Sequence, residues 1–249
     1  MHTALLLLTV LGTEPDADLL KRLTEHQDRL EAQQRNGSLV MTVKAEELDD
    51  KGAVEHTTVR TMRVKDHDGV SEQELLKHLE DGKDLTAEKQ QELAEEKKKS
   101  NGDEKPKGEP KKKRVSFGAA SPFSKDQRDK YRFGLFAPSD AHRGLVRIGF
   151  EPKNGAEEEL LQGDALVDPE KGELVRLTMR PSKLPRMVDH LELVVEYGAT
   201  TPAGRAVSRI DARGDGGILF IHKYFHVDTT FSDHAFAAAA ARATGEGSK

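Results

Sequence analysis

YRFGLFA (Tyr131–Ala137), GLVRIGF (Gly144–Phe150), GDALVDP (Gly163–Pro169), ELVRLTM (Glu173–Met179), HLELVVEY (His190–Tyr197), AVSRIDA (Ala206–Ala212) and GGILFIHKYFHV (Gly216–Val227) fill most of the stretch from Tyr131 to Asp233. Each segment is short, and apolar residues mostly alternate with polar ones. Alternation at period two puts one row of side chains on each face of a sheet, so every strand has an oily and a wet side. Turn signals separate the segments: Pro138-Ser139-Asp140, Pro152–Gly155, Asp168–Gly172, Pro181–Pro185, Thr200–Gly204 and Gly214–Gly217. The pattern predicts about seven consecutive strands.

Working outward, SLVMTVKAEEL (Ser38–Leu48) places Leu39, Met41, Val43 and Ala45 on one face. The turn Asp49–Gly52 leads into AVEHTTVRTMRVKDHD (Ala53–Asp68), so the two segments form a β-hairpin. Before them, Asp16–Gly37 reads as an amphipathic helix with Leu19, Leu20, Leu23 and Leu30 in a narrow stripe. Asp16 is its expected cap, and Asn36-Gly37 its expected left-handed stop. Ser71–Glu74 has the form of a capping box and predicts a short helix over residues 71–82. A second helical pattern starts at Leu85 and runs into lysine-rich sequence. Half of residues 97–114 are Lys or Arg and none is apolar, so residues 85–114 are expected to form a charged, disordered insertion. Residues 235–249 are expected to be a flexible tail.

The 249 residues carry a net charge of −5, which argues against a general nucleic-acid binder. The absence of cysteine excludes disulfides, thiolate metal sites and a cysteine nucleophile. The apolar run Ala4–Leu11 spans only about 12 Å as a helix against a bilayer core of ~30 Å, so no transmembrane segment is expected there. Its length suits the core of a signal peptide, which sets residues 1–14 apart from a single domain over residues 15–234.

No catalytic set accompanies the strands. His222 and His226 would lie about 13 Å apart along one strand, too far to share an ion, so no metal site is expected from this pair. His190 and His234 offer no better spacing. Asp164, Asp168, Asp211 and Asp215 sit where turn chemistry explains aspartate. Gly214–Gly217 precedes a strand, whereas a phosphate loop precedes a helix. G-x-S-x-G and Ser-x-x-Lys motifs are absent. PKKKR (Pro110–Arg114) and RVSF (Arg114–Phe117) resemble a nuclear-localisation signal and a phosphatase-docking motif, but a solvated basic linker explains both. No enzyme activity and no cofactor are expected.

Pro122-Phe123, Tyr131-Arg132-Phe133, Ile148–Pro152, Gly163–Pro169, Gly172-Glu173-Leu174, Gly217–Phe220 and Phe231–His234 together resemble the LolA-like superfamily of bacterial periplasmic proteins, the outer-membrane lipoprotein-sorting-like proteins. The resemblance implies an α+β fold: one curved antiparallel sheet, an open half-barrel, with helices on its concave face. Several members hold acyl chains or lipoproteins there. It implies a soluble periplasmic protein that binds or carries a lipid or an acylated lipoprotein. The alternative is an envelope protein-interaction or stress-sensing module of the RseB kind. The candidate apolar face comprises Leu39, Met41, Val43, Phe133, Leu135, Ile148, Phe150, Leu177, Met179, Leu193, Val195, Ile218 and Phe220, with Leu19, Leu20, Leu23 and Leu30 as a lid helix. The same residues would equally serve as a closed core under that helix.

Overall fold

The structure is a computed structural model and describes residues 13–67, 70–100, 121–137, 142–157, 159–218 and 221–236. Most of the strands form one eleven-stranded sheet in the order β4-β3-β2-β1-β13-β12-β9-β8-β7-β6-β5. In chain order they are β1 (Gly37–Leu48), β2 (Val54–His67), β3 (Val70–Glu80), β4 (Lys83–Asp84), β5 (Tyr131–Leu135), β6 (Val146–Pro152), β7 (Leu161–Asp168), β8 (Glu173–Pro181) and β9 (Val188–Glu196), then β12 (Arg209–Ile218) and β13 (Ile221–Phe236). Every pairing is antiparallel. The sheet is open, with β4 and β5 at its two ends. β10 (Ala199–Thr201) and β11 (Gly204–Ala206) make a separate small hairpin.

Short turns make most neighbours in sequence neighbours in space, as expected. Two pairings are exceptions: β12 pairs with β9 past the β10–β11 hairpin, and β13 joins the two halves by pairing with β1 along almost its whole length, from Gly37↔Phe236 to Leu48↔Tyr224. Ala235 and Phe236, expected in the tail, are therefore the last residues of a 16-residue strand. GGILFIHKYFHV is two strands rather than one: Ile218 ends β12, Ile221 opens β13, and the two residues pair with each other. Residues 1–12, 101–120 and 237–249 lie outside the described residues, and with them the signal-peptide run, most of the lysine-rich stretch and the rest of the expected tail.

Helix α1 (Ala17–Gln34) forms where its leucine stripe predicts, and Asp16 caps it by accepting a hydrogen bond from the Asp18 amide at 3.0 Å. Its expected stop is different. Gly37 is not left-handed but opens β1, where a Cβ would stand 2.5 Å from the Phe236 ring. A close approach, rather than a positive φ, requires glycine there.

The helix expected over residues 71–82 is strand β3, paired to β2 from Thr58↔Glu80 to His67↔Val70. A capping box is a local preference, and an isolated helix this short is marginal in water. Pairing with β2 instead satisfies a ladder of backbone groups and covers an edge 14 residues long. Asp81 (φ 49°) and Gly82 (φ 81°), which would have stopped a helix, form the two-residue turn into β4. Positive φ at both positions is what a type I′ hairpin demands. The Asp81 carboxylate also accepts from the Thr57 amide at 2.8 Å, tying the turn to β2. Helix α2 (Thr86–Ser100) follows and packs on β3, with the Gln90 side chain donating to the Leu75 carbonyl at 2.8 Å.

The core lies between α1 and the β5–β9 and β12 part of the sheet. Leu23, Phe123, Ile148, Ala165, Val167 and Leu174 are fully buried. Phe123, from the segment before a 3-10 turn at Arg128–Lys130, stacks 5.2 Å from Phe133 and meets Phe150 edge-on at 6.0 Å.

Candidate apolar binding face

Cross-strand partners point to the same face of a sheet, so the register traces one row of side chains from β5 across to β1. Leu135, Ile148, Ala165, Leu177, Val195, Ile210, Thr229 and Val43 succeed one another across the strands. A parallel row runs Phe133, Phe150, Gly163, Met179, Leu193, Ala212, Val227, Ala45. Both rows lie on one face of the sheet, and the next partners of Val43 and Ala45 on β2 are Arg60 and Thr58.

Its two halves differ in cover. Under α1 the face is closed: Ile148, Phe150, Leu177, Met179 and Val195 are buried together with Leu19, Leu23 and Leu30, while Phe133, Leu135, Leu193 and Leu20 pack against them partly exposed. Beyond Ile210 the face continues onto β13, β1, β2 and β3, where its apolar residues are half-buried while Thr229 and His78 are buried. There Met41 stands opposite both Phe231 and Met62, and Met62 opposite Leu75. Val43, Ala45, Val64, Phe225 and Val227 extend this half-buried area, as does Leu39 opposite Val64. Phe220 lies outside the described residues, as does the side chain of Ile218. Sequence reasoning missed Met62, Val64 and Leu75, because it set no register between β1 and β2 and read β3 as a helix.

Helix α1 buries a polar side chain. His26 is fully buried among the leucines, and its Nε2 has no hydrogen-bond partner among the described residues. Burial above all, with Arg29 nearby, lowers its pKa to about 4. The β10–β11 hairpin packs over it and needs a glycine at its turn. Gly204 has φ +112°, and a Cβ there would lie 2.9 Å from His26 Nε2 and 2.3 Å from Glu173 Oε1.

The opposite face of the sheet is charged. His226 bridges Glu46 and Asp211 at 2.9 Å on each side, across β1, β13 and β12. Lys44 and His226 hold the Glu46 carboxyl below the usual range. Partial burial opposes the same effect at Asp211, but hydrogen bonds from His226 and Arg213 prevail and lower it. Arg209 reaches Asp228 at 2.7 and 3.2 Å, and Arg147 clamps Asp164 at 2.9 Å through two nitrogens. A polar cleft of 320 Å³ opens here over β8, β9 and β12, lined by alternating arginines and carboxylates.

Of the four aspartates, only Asp168 does the turn work expected, accepting from the Glu170 and Lys171 amides at 3.1 Å. Asp164, Asp211 and Asp215 stand within strands and bond across to neighbouring ones. His222 and His226 are held apart as expected, each by its own carboxylates, since His222 bonds to Asp215 at 3.0 Å. His190 Nδ1 lies 3.9 Å from Asp215 Oδ1.

No family model matches the chain, and no curated protein matches it either. Solved structures do. A DUF1329 family protein from Desulfovibrio piger overlaps 91% of this chain and 95% of its own at 9% identity and a TM-score of 0.40. A structure described as an outer membrane lipoprotein-sorting protein domain from Vibrio parahaemolyticus overlaps 88% and 94% at 11% identity and a TM-score of 0.36. The MucA/MucB complex of Pseudomonas aeruginosa matches over 86% and 93% at 12% identity and a TM-score of 0.23. Overlap at these TM-scores says nothing of what this chain binds, which has to be read from its own sheet. Among the described residues no helix is long and apolar enough to cross a membrane.

Proposed function

We propose that this chain is a non-catalytic periplasmic protein that holds a hydrophobic ligand, a lipid or the acyl chains of a lipoprotein, on the open half of its apolar face. In this reading the sheet curls into a half-barrel, and α1 covers one half of its concave side. The observation that carries the proposal is the unequal cover of the apolar residues on one face of the sheet. Leu177 and Val195 are sealed under α1, while Met41, Val43, Met62 and Leu75 on the same face are only half-buried.

Energetics favour an oily occupant. An acyl chain of about sixteen carbons gains at most about 12 kcal/mol on leaving water, at ~0.8 kcal/mol per CH₂. An exposed ion pair of the kind that lines the opposite face contributes ~0–1 kcal/mol. Methionines suit such a surface, because their unbranched side chains adapt to chains of varied length.

Native mass spectrometry of protein purified from a bacterial periplasm tests the reading. A lipid adduct that survives purification and is removed by organic extraction is the expected result. Protein that carries no adduct and takes none up from phospholipid vesicles contradicts it.

A further inference from the structure

The register of β9, β12 and β13 brings together four potential ligand side chains at one end of the charged face. In a regular strand Asp189 and His190 would point to opposite faces. A bulge prevents this: Asp215 pairs with His190 while the next residue, Gly216, pairs with Val188, leaving Asp189 as the extra residue. Bulges re-aim side chains in this way and recur beside functional sites. The backbone around it is specifically shaped. Met187 takes a left-handed φ of 71°, its carbonyl accepts from the Gly217 amide at 2.9 Å, and a Cβ on Gly216 would stand 2.1 Å from that carbonyl.

As a result one ligand atom from each of Asp189, Asp215 and His222 lies within 4.8 Å of the others. The His222 ring faces both carboxylates, with Nε2 at 3.0 Å from Asp215 Oδ2 and Nδ1 at 3.6 Å from Asp189 Oδ2. His190 Nδ1 stands 3.9 Å from the other Asp215 oxygen.

The geometry points to a divalent transition-metal site at Asp189, Asp215 and His222, with His190 as a fourth ligand. Ligands about 2.0–2.2 Å from a tetrahedral zinc stand roughly 3.3–3.5 Å from one another. The carboxylates face different nitrogens of the His222 ring, so one ion on a single nitrogen requires a carboxylate to swing toward it, a movement open to exposed side chains: Asp189 is 65% and His190 57% exposed. A set of two imidazoles and two carboxylates suits Zn²⁺, Ni²⁺ or Cu²⁺, whereas Mg²⁺ and Ca²⁺ prefer all-oxygen sets. Two carboxylates also balance the charge of one divalent ion. The site would clamp β9 and β13 to β12 near the end of the ladder where Ile218 pairs with Ile221. It lies on the face opposite the apolar one, so it stands or falls independently of lipid binding.

Titration calorimetry of tag-free protein with zinc chloride tests the site. Saturable binding of one zinc per chain with a Kd on the order of micromolar is expected, weakened at least tenfold in both Asp215→Asn and His222→Gln. No saturable binding at millimolar zinc, or affinity unchanged in both variants, overturns the inference. An ordinary melting curve without metal checks that the variants fold. A readout on the unaltered chain covers their failure: paramagnetic Co²⁺ should broaden the amide resonances of Val188, Gly216 and Gly217 first. Broadening centred on Glu46, Asp211 and His226 instead would also overturn it.

Discussion

Acidification should unfold this protein partly through one residue, His26. Its pKa falls from 6.5 unfolded to about 4 in the folded chain, because charging the ring inside the leucine cluster forfeits its hydration. Between those values the unfolded state binds the extra proton, so stability contributed by the neutral ring is complete above pH 6.5. It is then lost progressively as pH falls toward 4. A difference of about 2.5 units at ~1.4 kcal/mol each gives a loss of about 3 kcal/mol. That is a large share of the ~5–15 kcal/mol available to an ordinary domain. Many carboxylates titrate over the same range, so the effect must be isolated by a variant. Urea denaturation at several pH values between 4 and 7.5, for the unaltered chain and His26→Gln, measures it. The unaltered chain should lose up to about 3 kcal/mol more than the variant over that interval. Parallel pH dependences, or an NMR titration that puts the His26 ring near 6.5, would refute the reasoning.

Three further outcomes follow from the packing. Leu23→Ala, in the fully buried centre of α1, should cost about 2–5 kcal/mol by leaving a cavity, measured as a fall in the urea midpoint. Gly204→Ala should destabilise by more than about 1 kcal/mol, since alanine neither tolerates φ +112° nor fits between His26 and Glu173; a thermal melt reports it. Residues 70–80 should give strand-like Cα chemical shifts and an interstrand NOE between Thr61 and Lys77, paired across β2 and β3; helical shifts would contradict the strand.

How much of this was legible in the chain depended on the range of the interaction. Period-two alternation located β1, β2, β5–β9 and β12–β13, because a half-buried strand writes its burial into its own residues. The leucine stripe and Asp16 located α1 for the same local reason. β3 was misread because Ser71–Glu74 carries a true helix-start signal, and only the long open edge of β2 overrides it. The Asp81-Gly82 pair was readable as a hairpin turn, and that signal could have corrected the reading. The partnership of β1 with β13, 176 to 199 residues apart in the chain, leaves no local trace. Without it, neither the junction of the two halves nor the extension of the apolar face onto Met62 and Leu75 could be seen. The same gap hid the polar clusters. Asp215 meets His222 and Asp211 meets His226 only once register and a bulge are set, so spacing along one strand correctly separated the histidines yet could not supply their partners.

The central claim is that the apolar face stays open where it passes from α1 onto β1 and β2. Fluorescent fatty-acid titration of delipidated protein, with Met62→Asp beside the unaltered chain, tests it most directly. Met62 is half-buried and stands opposite Met41, so a carboxylate there would put charge under the acyl chain while the α1 core is left intact. The account predicts saturable binding by the unaltered chain and a loss of at least tenfold in the variant, with its melting temperature nearly unchanged. Absence of binding by the unaltered chain, or equal binding by both, would contradict it.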